Sequence, residues 1–245
     1  MEAQKIIITG GATRIGAAIA RSLSGINKDI VIHYNKSKSK AENLKKELIK
    51  TGSKVYLVKG DLGKEKDVNK IVKFAKSKLK YFDCLINNAS IFSKDKLIES
   101  NPAKVFKEFA VNFFSPFELT RQFAKQNRDG IVLNILDRRI LANEITCLPY
   151  CLSKKSLAEF TYAAALELAP RIRVNAIAPG PILAPDNQDF STYKEKAGFI
   201  PLEKIPNPMD VIEAALYLIN NESITGQVIY VDGGQNLIGN IGNHG

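Results

Sequence analysis

Tyr150-Cys-Leu-Ser-Lys154 stands between two apolar runs of strand length, Gly130-Ile-Val-Leu-Asn-Ile-Leu136 and Ile172-Arg-Val-Asn-Ala-Ile-Ala178. The first run ends at Asp137 and the second at Pro179-Gly180-Pro181. A helix between two such runs makes a βαβ unit, and ligands of that arrangement sit at the carboxyl ends of its strands. Asp137, Pro179 and Gly180 all lie at such ends. In a helix, Tyr150 and Lys154 are one turn apart and share a face. A free tyrosine, with a pKa near ~10, is a poor acid–base group at neutral pH. A nearby ammonium favours the phenolate and lowers that value, so the pair is expected to pass a proton near neutral pH. Asp137 either joins that chemistry or forms an ion pair with Arg138, Arg139 or another base.

Working outward, the same alternation fills the chain. Lys5-Ile-Ile-Ile-Thr9 reads as the first strand and runs into Gly10-Gly-Ala-Thr-Arg-Ile-Gly16. A helix follows, with Ile15, Ala18, Ile19, Ser22 and Leu23 expected on its inner face. Strand, glycine turn and helix form a dinucleotide-binding arrangement, in which a pyrophosphate sits on the helix amino terminus. Asp29–Tyr34 is the second strand. NAD-binding folds place an acid there for the ribose 2′-hydroxyl, but His33-Tyr-Asn-Lys-Ser-Lys-Ser-Lys40 contains none. Lys36, Ser37 and His33 are therefore expected to meet a 2′-phosphate.

Lys54–Val58 is strand three, followed by Gly60-Asp61-Leu62 and a helix that turns Val68, Ile71, Val72, Ala75 and Leu79 inward. Strand four, Cys84–Asn88, ends in Asn87-Asn88-Ala89-Ser90. A long helix over Pro102–Lys125 contains Asn112, whose buried amide needs partners and so implies a polar network. Strands five and six are the runs quoted first. Residues 181–208 read as a long substrate loop, Asp210–Asn220 as the last amphipathic helix, and Gly226–Val231 as strand seven before Asp232-Gly-Gly. Seven strands alternating with helices predict an α/β fold. The expected architecture is one doubly wound Rossmann domain over 1–245, with a parallel sheet and helices on both faces.

Totals narrow the partners. Hydrophobic residues make up 45% of the 245, enough for a substantial core. No apolar run approaches the roughly 18 residues that span a bilayer, and no signal peptide precedes the first strand. Three cysteines fit a reducing, cytoplasmic setting. No Cys/His set suggests a metal. The net charge of +10 comes from lysines interleaved with acids, as on solvated helix faces. No basic arm or aromatic RNA-binding signature accompanies it, so no nucleic acid partner is expected.

The order Thr9-Gly10…Gly16, Asp61-Leu62, Asn87-Asn88-Ala89, Asn112, Tyr150…Lys154, Pro179-Gly180 and Asp232-Gly-Gly resembles the short-chain dehydrogenases/reductases over nearly the whole chain. The resemblance implies a tyrosine proton donor, a lysine that holds the nicotinamide ribose and lowers the tyrosine pKa, and an asparagine supporting a proton relay. Two departures from the family pattern matter. Asp137 stands where the family has a serine, and Arg14 replaces the central glycine of the first turn. Both are similar to the pteridine reductase branch, which includes bacterial dihydromonapterin and alternative dihydrofolate reductases. That likeness implies NADPH at Gly10, Arg14, Ile15, Gly16, His33, Asn35, Lys36, Ser37, Asp61, Leu62, Asn88, Ala89, Ser90, Tyr150, Lys154, Pro179 and Gly180. It implies a pterin or folate substrate at Arg14, Ser90, Phe92, Asp137 and Tyr150, with Phe92 stacked on the pterin ring. It also implies a homotetramer with the Pro102–Lys125 helix in an interface.

The residues agree with that expectation. A serine hydroxyl suits a carbonyl, whereas a pterin is reduced at a ring C=N whose nitrogen needs a proton. A carboxylic acid with a pKa raised by burial would help supply it. The alternatives are a carbonyl reductase of the same family, such as a 3-oxoacyl-thioester reductase, and a non-enzymatic dinucleotide sensor. The absent serine speaks against the first, the retained Tyr150 and Lys154 against the second.

Overall fold

In the computed structural model, which describes residues 4–141, 144–182 and 198–238, seven parallel strands form one sheet in the order β3-β2-β1-β4-β5-β6-β7. The strands are β1 (Gln4–Ile8), β2 (Lys28–Tyr34), β3 (Lys54–Lys59), β4 (Cys84–Asn87), β5 (Gly130–Ile135), β6 (Ile172–Pro179) and β7 (Val228–Val231). Both faces are covered, so successive residues of a strand enter different cores. Ile6 and Ile8 pack with α1 (Arg14–Ser22), α2 (Lys38–Ile49) and α7 (Pro208–Asn220). Ile7 packs on the opposite face with α3 (Glu65–Leu79), α5 (Ser115–Ala124) and α6 (Leu148–Leu168). A last short helix, α8, spans Gln235–Ile238. Strand order reverses direction between β1 and β4, where such sheets open a crevice at their carboxyl ends.

Two expectations change. The face that α1 buries is Gly16, Ala17, Ile19 and Ala20, with Leu23 beyond its end; Ser22 is exposed and Ile15 and Ala18 are half-buried. Small residues win because the glycine turn brings the helix close to the sheet. A Cβ on Gly16 would lie 2.4 Å from Asn88 Nδ2 and 2.5 Å from the Gly10 carbonyl oxygen.

The long helix, expected over Pro102–Lys125, is interrupted. It divides into α4 (Pro102–Phe109), a π turn over Ala110–Phe114, and α5. Pro116 has no N–H to give the carbonyl of Asn112, and the Ser115 N–H reaches back five residues to Ala110. π turns inside α-helices favour functional sites, and this one holds Asn112. The inner residues expected of α3 are all buried. Most of the 181–208 loop, residues 183–197, lies outside the described residues. Among the described residues no helix is long and apolar enough to cross a membrane.

Candidate active site

The crevice is a cavity of about 770 Å³ at the carboxyl ends of β1, β2, β4, β5 and β6, within the range of small-ligand sites. Its floor is the glycine turn. Gly10 has φ +59° and Arg14, although not a glycine, has φ +52°. Asn88 pins the turn by donating from Nδ2 to the carbonyls of Thr9 at 2.9 Å and Gly10 at 3.0 Å. Thr9 Oγ1 accepts the N–H groups of Asn88 and Ala89 in return. The amino terminus of α1 has no side-chain cap and no acid in its first turn. Its amides are therefore open to an anion. The amino terminus of α2, at Ser37, is likewise uncapped and acid-free. Asn35, Lys36 and Ser37 line the cavity beside it.

His33 does not join them as a phosphate donor. It is 2% exposed, its Nδ1 accepts the Gly10 N–H at 3.1 Å, and its Nε2 lies 3.1 Å from the Gly60 carbonyl. Both nitrogens are thus used on the backbone, and burial pushes the imidazole pKa down. The ring is a neutral prop behind the glycine turn.

Asp61 and Leu62 line the cavity at the end of β3. Asp61 Oδ1 accepts the Gly63 N–H at 3.0 Å. Ile15, Ala89, Ser90, Pro179 and Gly180 complete the wall expected to hold the cofactor. Gly180 is packed so tightly that a Cβ there would lie 2.8 Å from Asp232 Cα.

The reacting end is built on β5 and α6. Tyr150 Oη donates to Asp137 Oδ2 at 2.9 Å. Arg139 donates to the same carboxylate from its backbone N–H at 2.9 Å to Oδ1, and from Nη1 at 3.1 Å to Oδ2. Asp137 thus forms the ion pair, with Arg139 as its partner, and also lies within hydrogen-bond distance of the Tyr150 hydroxyl. Asp137 is the acceptor in each of these bonds.

Lys154 is buried and donates to the Ile135 carbonyl at 2.7 Å. Burial lowers its pKa to about 8 against the raising effect of Asp137. Tyr150 departs from expectation. Its phenol is held well above the usual tyrosine range by burial and by the adjacent Asp137 carboxylate, and the cation that opposes them is Arg139. Tyr150 is not brought down to neutral pH in this arrangement, because burial and then the Asp137 carboxylate both favour the neutral phenol.

Asn112 is fully buried and satisfied. Its Oδ1 accepts from Ser90 Oγ at 3.0 Å and the Ile91 N–H at 2.9 Å, while Nδ2 donates to the Ile91 carbonyl and Ser153 Oγ. It ties the loop after β4 to the turn of α6 that carries Tyr150 and Lys154, and it does not line the cavity. That loop presents Phe92, whose ring meets the Tyr150 ring edge-to-face at 4.8 Å and 82°. Phe92 is 48% exposed, open to a flat ligand.

Sequence reading did not single out Arg139, Lys107 or Ser153 as site residues. Arg139 and Lys107 both line the cavity, and Ser153 anchors Asn112. The available signals were the position of Arg139 two residues after Asp137 and a small hydroxyl immediately before Lys154. Among the described residues no cluster of His, Cys, Asp or Glu is placed to hold a metal.

Known proteins share this arrangement. The family model described as enoyl-(acyl carrier protein) reductase matches residues 10–236. The curated relatives include an uncharacterized oxidoreductase, YhxC, of Bacillus subtilis. It is 31% identical over 242 residues, covering 96% of this chain and 85% of that protein. Two solved structures of FolM alternative dihydrofolate reductase 1, from Brucella canis and Brucella suis, are each 36% identical and complexed with NADP. They superpose with TM-scores of 0.86 and 0.89, covering 95% and 96% of this chain and 93% and 95% of theirs. With its parallel sheet, glycine turn and Tyr150/Lys154 pair, the chain belongs to the short-chain dehydrogenase/reductase family of oxidoreductases.

Proposed function

We propose that this protein is an NADPH-dependent reductase of a pterin, taking a dihydropterin or dihydrofolate to its tetrahydro form. The observation that carries the reading is the Asp137 carboxylate 2.9 Å from Tyr150 Oη, with Phe92 lying edge-on to the same tyrosine. The complexes of the FolM structures with NADP support the cofactor. So do the two uncapped, acid-free helix termini facing the cavity.

When bound, NADPH supplies a hydride to the ring carbon of a C=N bond. The chain's own residues do the rest. The amides at the start of α1 and Arg14 hold the pyrophosphate, and Asn35, Lys36 and Ser37 hold the 2′-phosphate. Lys154 binds the nicotinamide ribose. Ser90 and the exposed face of Phe92 receive the substrate ring. Tyr150 stays protonated at neutral pH and gives its proton to the ring nitrogen. Arg139 and Lys154 stabilise the phenolate left behind.

We assign the working protein to the cytoplasm as a homotetramer. Phe114 and Phe117 of the π turn and α5, with Tyr162 and Leu166 of α6, leave a large apolar face exposed, which favours covering by another copy.

An NADPH-consumption panel of 7,8-dihydrobiopterin, dihydromonapterin, dihydrofolate and a 3-oxoacyl thioester tests the reading. Turnover of a dihydropterin or dihydrofolate well above the thioester is expected, and thioester turnover alone would refute it. Asp137→Ser restores the common family triad and is expected to lose the pterin activity.

A further inference from the structure

Four groups at the reacting end form a closed circuit. The Arg139 guanidinium binds the Asp137 carboxylate, with Nη1 at 3.1 Å from Oδ2 and 3.4 Å from Oδ1. Asp137 Oδ2 accepts the Tyr150 hydroxyl. The Tyr150 ring meets Phe92 edge-to-face. The circuit returns to Arg139, whose guanidinium carbon lies 5.8 Å from the Phe92 ring centroid, within cation–π reach.

Arg139 is held in this place from several sides. Its backbone N–H caps Asp137 at 2.9 Å, so the residue clamps the carboxylate at two points. Glu144 Oε2 stands 3.9 Å from Nε, and Glu144 is itself held by the Thr146 N–H and hydroxyl. Nε is buried without a hydrogen-bond partner among the described residues. The half-buried guanidinium is thus directed toward Asp137 and Phe92 at the cavity wall. Burial works against its charge, but the opposite charge of Asp137 prevails and the guanidinium stays ionised.

We propose that Arg139 is a positioning residue for the reaction, which sets Asp137 Oδ2 on the Tyr150 hydroxyl and the plane of the Phe92 ring. It acts on two steps through two different neighbours. Through Asp137 it fixes the direction of the donor hydroxyl, and that affects kcat. Through Phe92 it fixes the wall on which the flat substrate lies, and that affects KM. The second effect rests on the pterin reading above. The first needs only the tyrosine chemistry of an oxidoreductase.

Double-mutant cycles separate this from a purely structural ion pair, because residues acting as a unit give non-additive losses. Arg139→Gln is expected to lower kcat about tenfold or more and to raise KM for the pterin about threefold to tenfold, the scale of a lost acid–base alignment. Most of the kcat loss should disappear in an Asp137→Asn background, leaving the direct attraction of Arg139 for the phenolate, and the KM loss should disappear in a Phe92→Ala background. Arg139→Lys, which keeps the charge near Phe92 without the planar fork, should recover most of KM and only part of kcat. It also replaces Arg139→Gln in the cycles if the glutamine variant does not fold. Losses that multiply undiminished in both backgrounds, or no loss in either variant, would overturn the proposal. If the parent reduces no pterin, the pterin reading fails. The kcat arm is then read with whichever substrate of the panel it does reduce, and the same additivity criterion decides.

Discussion

Arg14 holds a left-handed backbone, φ +52°, at a turn position where a glycine would sit without strain. That conformation costs a non-glycine residue about 1–2 kcal/mol, and the strain is carried at the cavity wall. Replacing the side chain alone would mix two effects, so the informative comparison is between Arg14→Ala and Arg14→Gly. Both remove the guanidinium and all its contacts. Only glycine also relieves the backbone, against an unfolded-state entropy term of about 0.4–1 kcal/mol. The glycine variant should therefore be at least as stable, by up to about 1.6 kcal/mol, or up to roughly 6 °C in Tm for a domain of this size.

Differential scanning calorimetry of the two proteins without cofactor measures that difference. Steady-state kinetics should show both losing at least about tenfold in kcat/KM, the size of a lost charge-assisted contact. A glycine variant less stable than the alanine variant would mean that residue 14 does not keep its left-handed conformation in solution. Undiminished kcat/KM in either variant would remove Arg14 from the site.

Other outcomes follow from the same geometry. Lys36→Ala should reduce the preference for NADPH over NADH by about ten- to a hundredfold; equal Kd values for the two cofactors in the parent would contradict the 2′-phosphate assignment. Tyr150→Phe keeps the ring contact with Phe92 and removes the proton, so kcat should fall by about 10²-fold or more, and near-normal turnover would place the donor elsewhere. Lys154, with a free-enzyme pKa of about 8, should be raised by an anionic ligand. NADPH affinity is then full below about pH 8 and weakens as pH rises through it, by at most tenfold per pH unit. Calorimetric titration between pH 7 and 10 measures this slope, and Lys154→Met should abolish it; a flat profile in the parent would refute the assignment.

Much of the fold could be read because helices such as α3 repeat an apolar period and the strands are apolar runs of strand length between turns. Where reading failed, periodicity carried no information. Strands buried on both faces do not say which way His33 points, so its position beside Lys36 suggested a ligand when the ring actually braces Gly10 and Gly60. In α1, large aliphatic residues drew attention, but contact distance to the turn selected Gly16, Ala17 and Ala20. The π turn has one local trace, the missing N–H of Pro116. The site was readable to the extent that its chemistry depends on residue type: Tyr150, Lys154 and Asp137. The sign of the Tyr150 shift was not, because it depends on how deeply the fold buries the phenol and on the Asp137 carboxylate beside it. Arg138 and Arg139 were both candidates to pair with Asp137, and only the turn after β5 chose Arg139.

The central position of β1 has a consequence for the chain during synthesis. Its outer neighbour β2 follows within a few dozen residues, but its inner neighbour β4 pairs Ile8 with Ile86, a separation of 78 residues. At about 5–20 residues per second on the ribosome, that edge of the Ile6-Ile7-Ile8 strand waits about 4–16 s for its partner. An unpaired apolar edge is a template for association between nascent chains. The segment that emerges in the interval, from Lys36 to Lys80, is rich in lysine. Its positive charge repels other copies and acts as a gatekeeper beside the exposed strand. The consequence to expect is that neutralising lysines of this segment increases association of nascent chains before the sheet closes.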